Sequence, residues 1–119
     1  MHGDPRSFLP LSGPALHILL ALGDRALHGY AMMEEVDQRV GPDSPLLPGT
    51  LYSALARMER QGLVEDAEPE LYEKRGGARR YYRATALGRA VLEAESRRLD
   101  ALVAWARQDG LLSGAGDAG

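Results

Sequence analysis

The feature that most restricts the fold is an apolar stripe at helical spacing between Ala86 and about Gln108. Apolar residues that recur every three or four positions predict an amphipathic helix with one buried face. The stripe consists of Leu87, Val91, Ala94, Leu99, Leu102, Val103 and Ala106. The chain has 119 residues, enough for one domain, and such a domain is too small to cover the whole stripe alone. We therefore expect residues 86–109 to form a dimerisation helix that packs against a second copy.

Glycine and proline divide the preceding chain into three helices. Ser12 is a suitable N-cap for a first helix, which Gly23 ends. A second helix is predicted from about Leu27 to Val40. Pro48, whose fixed φ suits a first helical turn, begins a third helix over residues 48–61.

A hairpin follows the third helix. Leu63-Val64 begins one strand, Gly76-Gly77 offers the positive φ of a hairpin tip, and Arg80–Ala84 is rich in β-favouring residues. This order of elements is typical of a winged helix-turn-helix domain followed by a dimerisation helix. The sequence therefore predicts a mainly α fold with a small two-stranded β-hairpin. In it, residues 1–10 are a flexible N-terminus, 11–85 the winged helix-turn-helix with its wing at 71–84, and 110–119 a disordered tail.

The third helix has an unusually small outer face. Leu51, Leu55 and Met58 form its buried stripe, while the opposite face holds small residues and ends in an arginine. That face consists of Gly49, Ser53, Ala56 and Arg60. A helix that enters the DNA major groove, ~12 Å wide, must bring its backbone close to the base edges. Small side chains permit that approach.

Two groups of side chains on this helix are candidate DNA contacts. Hydroxyls of Thr50, Tyr52 and Ser53 lie near the N-terminus, where free amides and the positive end of the helix dipole favour a phosphate. Arg57 and Arg60 follow and can reach a phosphate or a guanine edge. The alternative is that Thr50 caps the helix, Tyr52 packs and both arginines are solvated surface. This helix alone does not separate the two interpretations.

The wing carries a second group of cations. Lys74, Arg75, Arg79 and Arg80 flank the Gly-Gly tip, from which long side chains can reach a flanking minor groove or the backbone. The net charge of the chain is −3, which by itself disfavours a nucleic-acid partner. Local charge decides where an anion docks, so the wing favours DNA binding.

The residue types disfavour several other functions. The chain has no Cys, which excludes disulfides, thiolate metal sites and cysteine nucleophiles. His2, His17 and His28 lack metal-ligand spacing, and the acids fall in solvated runs, so we predict no catalytic residue, metal or cofactor. The longest apolar run, Ile18–Leu22, is far shorter than the roughly 20 residues of a membrane span, and no signal peptide is evident. The sequence thus predicts a cytoplasmic protein that is not an enzyme and has no membrane partner.

Three separated motifs resemble the PadR family of bacterial transcriptional regulators, over roughly Leu11 to Leu92. They are Leu27-His28-Gly29-Tyr30 in the second helix, Pro48-Gly49-Thr50-Leu51-Tyr52 with Leu55, Arg57, Glu59 and Gly62-Leu63 in the third, and Arg79-Arg80-Tyr81-Tyr82-Arg83 with Thr85 and Gly88 in the wing. The resemblance implies a homodimeric repressor that binds a palindromic promoter site on double-stranded DNA and is released by a small molecule or another signal. It also implies DNA contacts from Tyr30, Thr50, Tyr52 and Ser53 and from the wing cations.

The last helix raises the question of an effector. Its expected interface residues are Leu87, Val91, Ala94, Leu99, Leu102 and Trp105. Some small regulators similar to this chain bind flat apolar drugs between paired Trp residues at the dimer centre. Counted from the tyrosine pair, that position falls near Leu99. Trp105 is therefore either a contact for a small apolar or aromatic effector, together with Leu99, or an interface anchor.

A second function fits the acidic runs and the negative net charge. In this hypothesis the winged helix binds another protein and not DNA. The surface potential separates the two hypotheses, because DNA binding requires a positive face formed by the third helices and the wings.

Overall fold

The computed structural model describes residues 3–42, 46–68 and 79–113. Its elements are a 3-10 turn at Pro5–Phe8, α1 Gly13–Leu22, β1 Leu27–His28, α2 Gly29–Val40, α3 Pro48–Arg60, β2 Val64–Ala67, β3 Tyr81–Ala84 and α4 Ala86–Gln108. The predicted fold class, mainly α with a small β component and a long last helix, is confirmed.

Side-chain caps fix where three of the helices begin. The Ser12 hydroxyl accepts a hydrogen bond from the Ala15 amide at 3.2 Å, as predicted, and Thr85 caps α4 in the same way. At α2 the cap is an imidazole, because Nδ1 of His28 accepts from the Ala31 amide at 3.2 Å. Each cap provides a partner for an amide that the first turn of a helix leaves free.

The sheet has one more strand than predicted. β3 lies in the middle of a three-stranded antiparallel sheet of order β1-β3-β2. Leu27 pairs with Tyr82, and His28 pairs with Tyr81. Leu27 and His28 therefore form a strand and are not the start of the second helix. That helix begins at Gly29 because His28 has extended backbone angles and acts as its cap. The predicted Gly-Gly tip lies outside the described residues.

Helix α1 lies at the centre of the hydrophobic core. Ile18, Leu19 and Leu22 are fully buried, and α1 packs against α2, α3, α4 and β3. Val91 of α4 belongs to this same core with 0% exposure, and Leu87 packs against the core's edge. The prediction of Val91 as a dimer-interface residue is therefore wrong, because its own domain already covers it.

The second half of α4 differs from the first. Leu102 is 45% exposed and Trp105 is 61% exposed, while Ala94 and Leu99 are partly buried. The apolar stripe is thus divided between the domain core, which covers its start, and an open surface at its end.

The start of α4 is packed tightly against the segment before β2. A Cβ added to Gly88 would overlap the carbonyl oxygen of Leu63 and lie 3.0 Å from its carbonyl carbon. The same carbonyl oxygen accepts a hydrogen bond from the Thr85 amide at 3.0 Å, and the Thr85 hydroxyl donates to the carbonyl of Gly62 at 2.5 Å. This close approach fixes the start of α4 against the segment between α3 and β2.

The described part of the N-terminal segment packs on α4, where the sequence predicts a flexible stretch at residues 1–10. Pro5–Phe8 forms a helical turn beside α4, and the Leu11 amide donates to Oε2 of Glu95 at 3.0 Å. Glu95 is 1% exposed, and Arg98 donates to its two oxygens at 2.6 and 3.1 Å. The Arg98 guanidinium, followed by the Leu11 amide, lowers the pKa of Glu95 against the opposing effect of burial. Glu95 is therefore a buried anion with its partners in place.

Two further sequence predictions concern the C-terminal tail and membrane-spanning segments. The tail at 110–119 is described as far as Ser113, and residues 114–119 lie outside. Across the three described ranges, no helix combines the length and the apolarity that a membrane crossing requires.

Candidate nucleic-acid interface

Helix α3 has two distinct faces. Leu51, Ala54, Leu55 and Met58 are buried in the core. The opposite face is exposed, and it holds Gly49, Thr50, Tyr52, Ser53, Ala56, Arg57 and Arg60. Every DNA-contact candidate that the sequence predicts on this helix therefore lies on one accessible side.

The small size of this face is not required by the packing of the chain itself. A Cβ added to Gly49 would meet no atom within 4 Å, and Gly49 does not have a positive φ. Gly88, by contrast, is a glycine because a neighbouring carbonyl leaves no room. The absence of a side chain at Gly49 thus leaves an open surface that a groove could receive.

The structure shows whether Thr50 caps α3. The N-cap position of α3 is Leu47, and no side chain there caps the helix. Thr50 lies in the first turn, so its interpretation as the cap is wrong. Thr50 borders an open cleft of about 440 Å³ between α3 and the start of α1. The cleft is lined by Ser12, Pro14, Gly49, Thr50, Ser53, Ala54 and Arg57.

Tyr52 combines the packed and the exposed roles that the sequence left open. It is 50% exposed, yet a Cβ added to Gly29 would overlap its hydroxyl and lie 2.8 Å from its Cζ. The end of the Tyr52 ring therefore rests on the first residue of α2. Tyr30, one position further, is 59% exposed and stacks on His28 with 6.5 Å between ring centroids. Two tyrosines thus mark the accessible junction of α2 with α3.

Among the described residues, the arginines of α3 lack the carboxylate partners that Arg80 and Arg83 have in and beside β3. Neither Arg57 nor Arg60 has an ion-pair partner in the part of the chain that the structure describes. Arg83 pairs with Glu65 at 2.7 Å, and Arg79 lies 2.9 Å from Nε2 of His28. An arginine without a carboxylate partner keeps its charge available for a phosphate.

Of the two predicted wing cations that the structure describes, Arg79 and Arg80, the second has more contacts. Its Nε donates to Oδ1 of Asp66 at 2.6 Å, and its Nη2 donates to Oε2 of Glu59 at 2.5 Å. Its Cζ lies 4.7 Å from the ring centroid of Tyr82. The guanidinium lowers the pKa of Asp66, whereas burial raises that of Tyr82. Glu59 and Asp66 are residues that the sequence analysis did not include in the site.

The remaining predicted residues are located as follows. Lys74 and Arg75 lie outside the described residues. Leu99 and Trp105, the suggested effector contacts, lie on α4, the first partly buried and the second exposed. Within the described ranges, no three His, Asp or Glu side chains are grouped so that they could hold a metal ion.

Comparison with known proteins identifies the family. Residues 18–94 match the Transcriptional regulator PadR-like family. The transcriptional regulator Rv3488 of Mycobacterium tuberculosis is 39% identical over 87 residues, which are 73% of this chain and 76% of that protein. A PadR family transcription regulator from Clostridium difficile R20291 has a TM-score of 0.70 at 27% identity. The superposition covers 82% of this chain and 97% of the Clostridium difficile chain.

A further structure is similar in fold. A transcriptional regulator from Clostridium thermocellum has a TM-score of 0.65 at 21% identity, covering 87% of this chain and 90% of its own. The family match spans well over half of the sequence and includes the helix-turn-helix, the wing and the first part of α4. This chain therefore belongs to the PadR-like family of non-enzymatic transcriptional regulators.

Proposed function

We propose that the chain is a homodimeric repressor that binds a palindromic promoter site through helix 48–61 and the wing 71–84. The observation that carries this proposal is the outer face of α3, where Arg57 and Arg60 are unpaired in the described part of the chain. Gly49 leaves the same face open. The proposed contacts on the helices are Tyr30, Gly49, Thr50, Tyr52, Ser53, Arg57 and Arg60, and those on the wing include Lys74, Arg75 and Arg79.

The dimer is supported by the second half of α4. Leu102 and Trp105 are large apolar side chains exposed on a well-formed helix, and Leu111 and Leu112 beyond it are also exposed. A second copy of α4 would remove these side chains from water. Two α3 helices related by a two-fold axis would meet half-sites ~10 bp apart, or a multiple of that spacing.

Release by an effector would act at the same end of α4. An apolar or planar aromatic molecule fits the chemistry of Leu99 and Trp105 where two protomers meet. Quenching of Trp105 fluorescence by a planar dye, together with loss of DNA binding at the same dye concentrations, tests this part of the proposal.

DNA binding is tested by fluorescence anisotropy with duplexes from the region upstream of the chain's own gene. Arg57→Ala is expected to weaken binding by about tenfold or more and to reduce the salt dependence, because each lost phosphate contact lowers the log–log slope by about 1. The matched control is Arg39→Ala, which removes the same charge from an exposed arginine at the end of α2 that pairs with Glu35 at 3.1 Å.

Equal affinities of the two variants would contradict the proposed role of α3. If the wild-type dimer binds no duplex at low salt and instead retains a protein ligand, the protein-binding hypothesis replaces the repressor.

A further inference from the structure

Arg80 joins three elements of the domain at one guanidinium. Asp66 is on β2, Glu59 is in the last turn of α3, and the Tyr82 ring beneath the guanidinium is on β3. Asp66 and Tyr82 are also paired in the register of β2 with β3, the two strands that form the base of the wing and are called the wing base below. The contacts of Arg80 therefore connect the wing base to the helix that carries Arg57 and Arg60.

The charge around Arg80 does not suit a direct phosphate contact. One guanidinium lies between two carboxylates, so the cluster of Glu59, Asp66 and Arg80 has a net charge of −1. If Arg80 turned toward a phosphate, both carboxylates would lose their partner near a polyanion. Arg57 has no such cost, because no carboxylate pairs with it in the described residues.

We propose that Arg80 is a positioning residue that sets β2 and β3, the strands at the base of the wing, relative to α3 through Glu59 and Asp66, and that it does not itself contact DNA. This inference rests on the proposed DNA-binding function. In that function the wing and α3 must reach adjacent parts of one duplex, so their relative position affects the affinity of every complex.

The direction in which one substitution changes DNA affinity distinguishes a positioning role of Arg80 from a direct contact with DNA. Glu59→Gln removes a negative charge close to the binding face and frees one side of Arg80. If Arg80 contacts a phosphate, this change strengthens DNA binding. If Arg80 positions the strands at the wing base, the change weakens DNA binding, because a neutral amide oxygen holds the Arg80 guanidinium less strongly than the carboxylate does.

The experiment compares DNA affinity and its salt dependence for Glu59→Gln, Arg80→Ala and the double variant. We expect each single variant to bind about tenfold more weakly, with an unchanged salt slope, and the double variant to bind no more weakly than the weaker single variant. Glu34→Gln is the control, since Glu34 is an exposed carboxylate on α2. Tighter binding by Glu59→Gln, or a salt slope lowered by about 0.9 for each lost phosphate contact in Arg80→Ala, overturns the inference.

A measurement on the free protein tests the positioning role of Arg80 independently of the proposed DNA binding. Amide hydrogen exchange of the free protein reports local opening of the strands. Arg80→Ala and Glu59→Gln are expected to speed exchange in β2 and β3, and Glu34→Gln is expected to leave it unchanged. Unchanged exchange in the first two variants overturns the inference even if the wild-type chain binds no DNA.

Discussion

Substitution of Gly88 by alanine tests the packing that fixes α4 to the domain. The added Cβ would overlap the Leu63 carbonyl oxygen, which is backbone and cannot rotate away. Either α4 or the segment at Leu63 must therefore move by roughly 1 Å. That movement weakens the hydrogen bonds from Thr85 to the carbonyls of Leu63 and Gly62.

The expected cost follows from these contacts. Overpacking by one methyl group costs about 2 kcal/mol, and each of the two weakened hydrogen bonds costs about 1 kcal/mol. Alanine recovers at most about 1 kcal/mol through its higher helix propensity. The net loss in the free energy of unfolding is about 3 kcal/mol. For a chain of this size Tm should fall by about 12 °C.

Thermal unfolding followed by circular dichroism measures this change, at equal protein concentrations because a dimer's Tm depends on concentration. Gly49→Ala is the matched control. It makes the same substitution in the first turn of a helix, but the added Cβ meets no atom. Its Tm should equal or exceed that of the wild type. If Gly88→Ala is as stable as Gly49→Ala, the described approach of α4 to Leu63 is wrong.

Three further outcomes are expected. Gly49→Ala should weaken DNA binding about tenfold in anisotropy titrations while keeping its stability, because its methyl group projects from the proposed binding face; unchanged affinity would remove Gly49 from that face. Combined Leu102→Ala and Trp105→Ala substitution should raise the dimer dissociation constant at least about 30-fold in sedimentation equilibrium, and an unaffected dimer would place the interface elsewhere. Glu95 has a lowered pKa, so it stabilises the fold above the unfolded-state pKa of about 4.3, and this contribution is lost as pH falls further through the lower folded-state pKa. Urea unfolding between pH 6 and pH 3 should therefore show a smaller acid loss for Glu95→Gln than for the wild type, and parallel pH profiles would contradict this assignment.

Local signals in the sequence predicted the helices well. Ser12 as a cap, Gly23 as a helix end and Pro48 as a helix start each act through their own backbone or side chain. The outer face of α3 follows from the positions of its buried residues, so its exposed candidates were also predictable. These features depend on neighbours within one turn.

The features that sequence reasoning missed depend on distant partners. The strand at Leu27–His28 has two residues and exists because β3, more than fifty positions away, pairs with it. Arg80 belongs to a run of cations, and its pairing with Glu59 and Asp66 appears once the wing folds against α3.

Burial on α4 was harder to predict for the same reason. Glu95 stands among charged neighbours, which suggests solvent, and the Leu11 amide that it binds is 84 positions away. The periodicity at Val91 correctly indicates a buried side chain, but it does not say whether the cover comes from the same chain or from a partner. The motif around His28 and Gly29 could be identified from the sequence by its resemblance to a family. The reason for the glycine became clear only from the structure, where the Tyr52 ring leaves no room for a side chain at Gly29.

The tight junction at Gly88 restricts how an effector could control the proposed dimer. The first half of α4 is part of the domain core, with Val91 buried and Gly88 against Leu63, so no flexible linker separates the helix-turn-helix from the start of α4. A molecule bound between the ends of two α4 helices would therefore have to rotate whole protomers about each other. In such a dimer, a change in the angle between the two helices alters the spacing of the two α3 helices directly, and with it the fit to a site of fixed half-site separation.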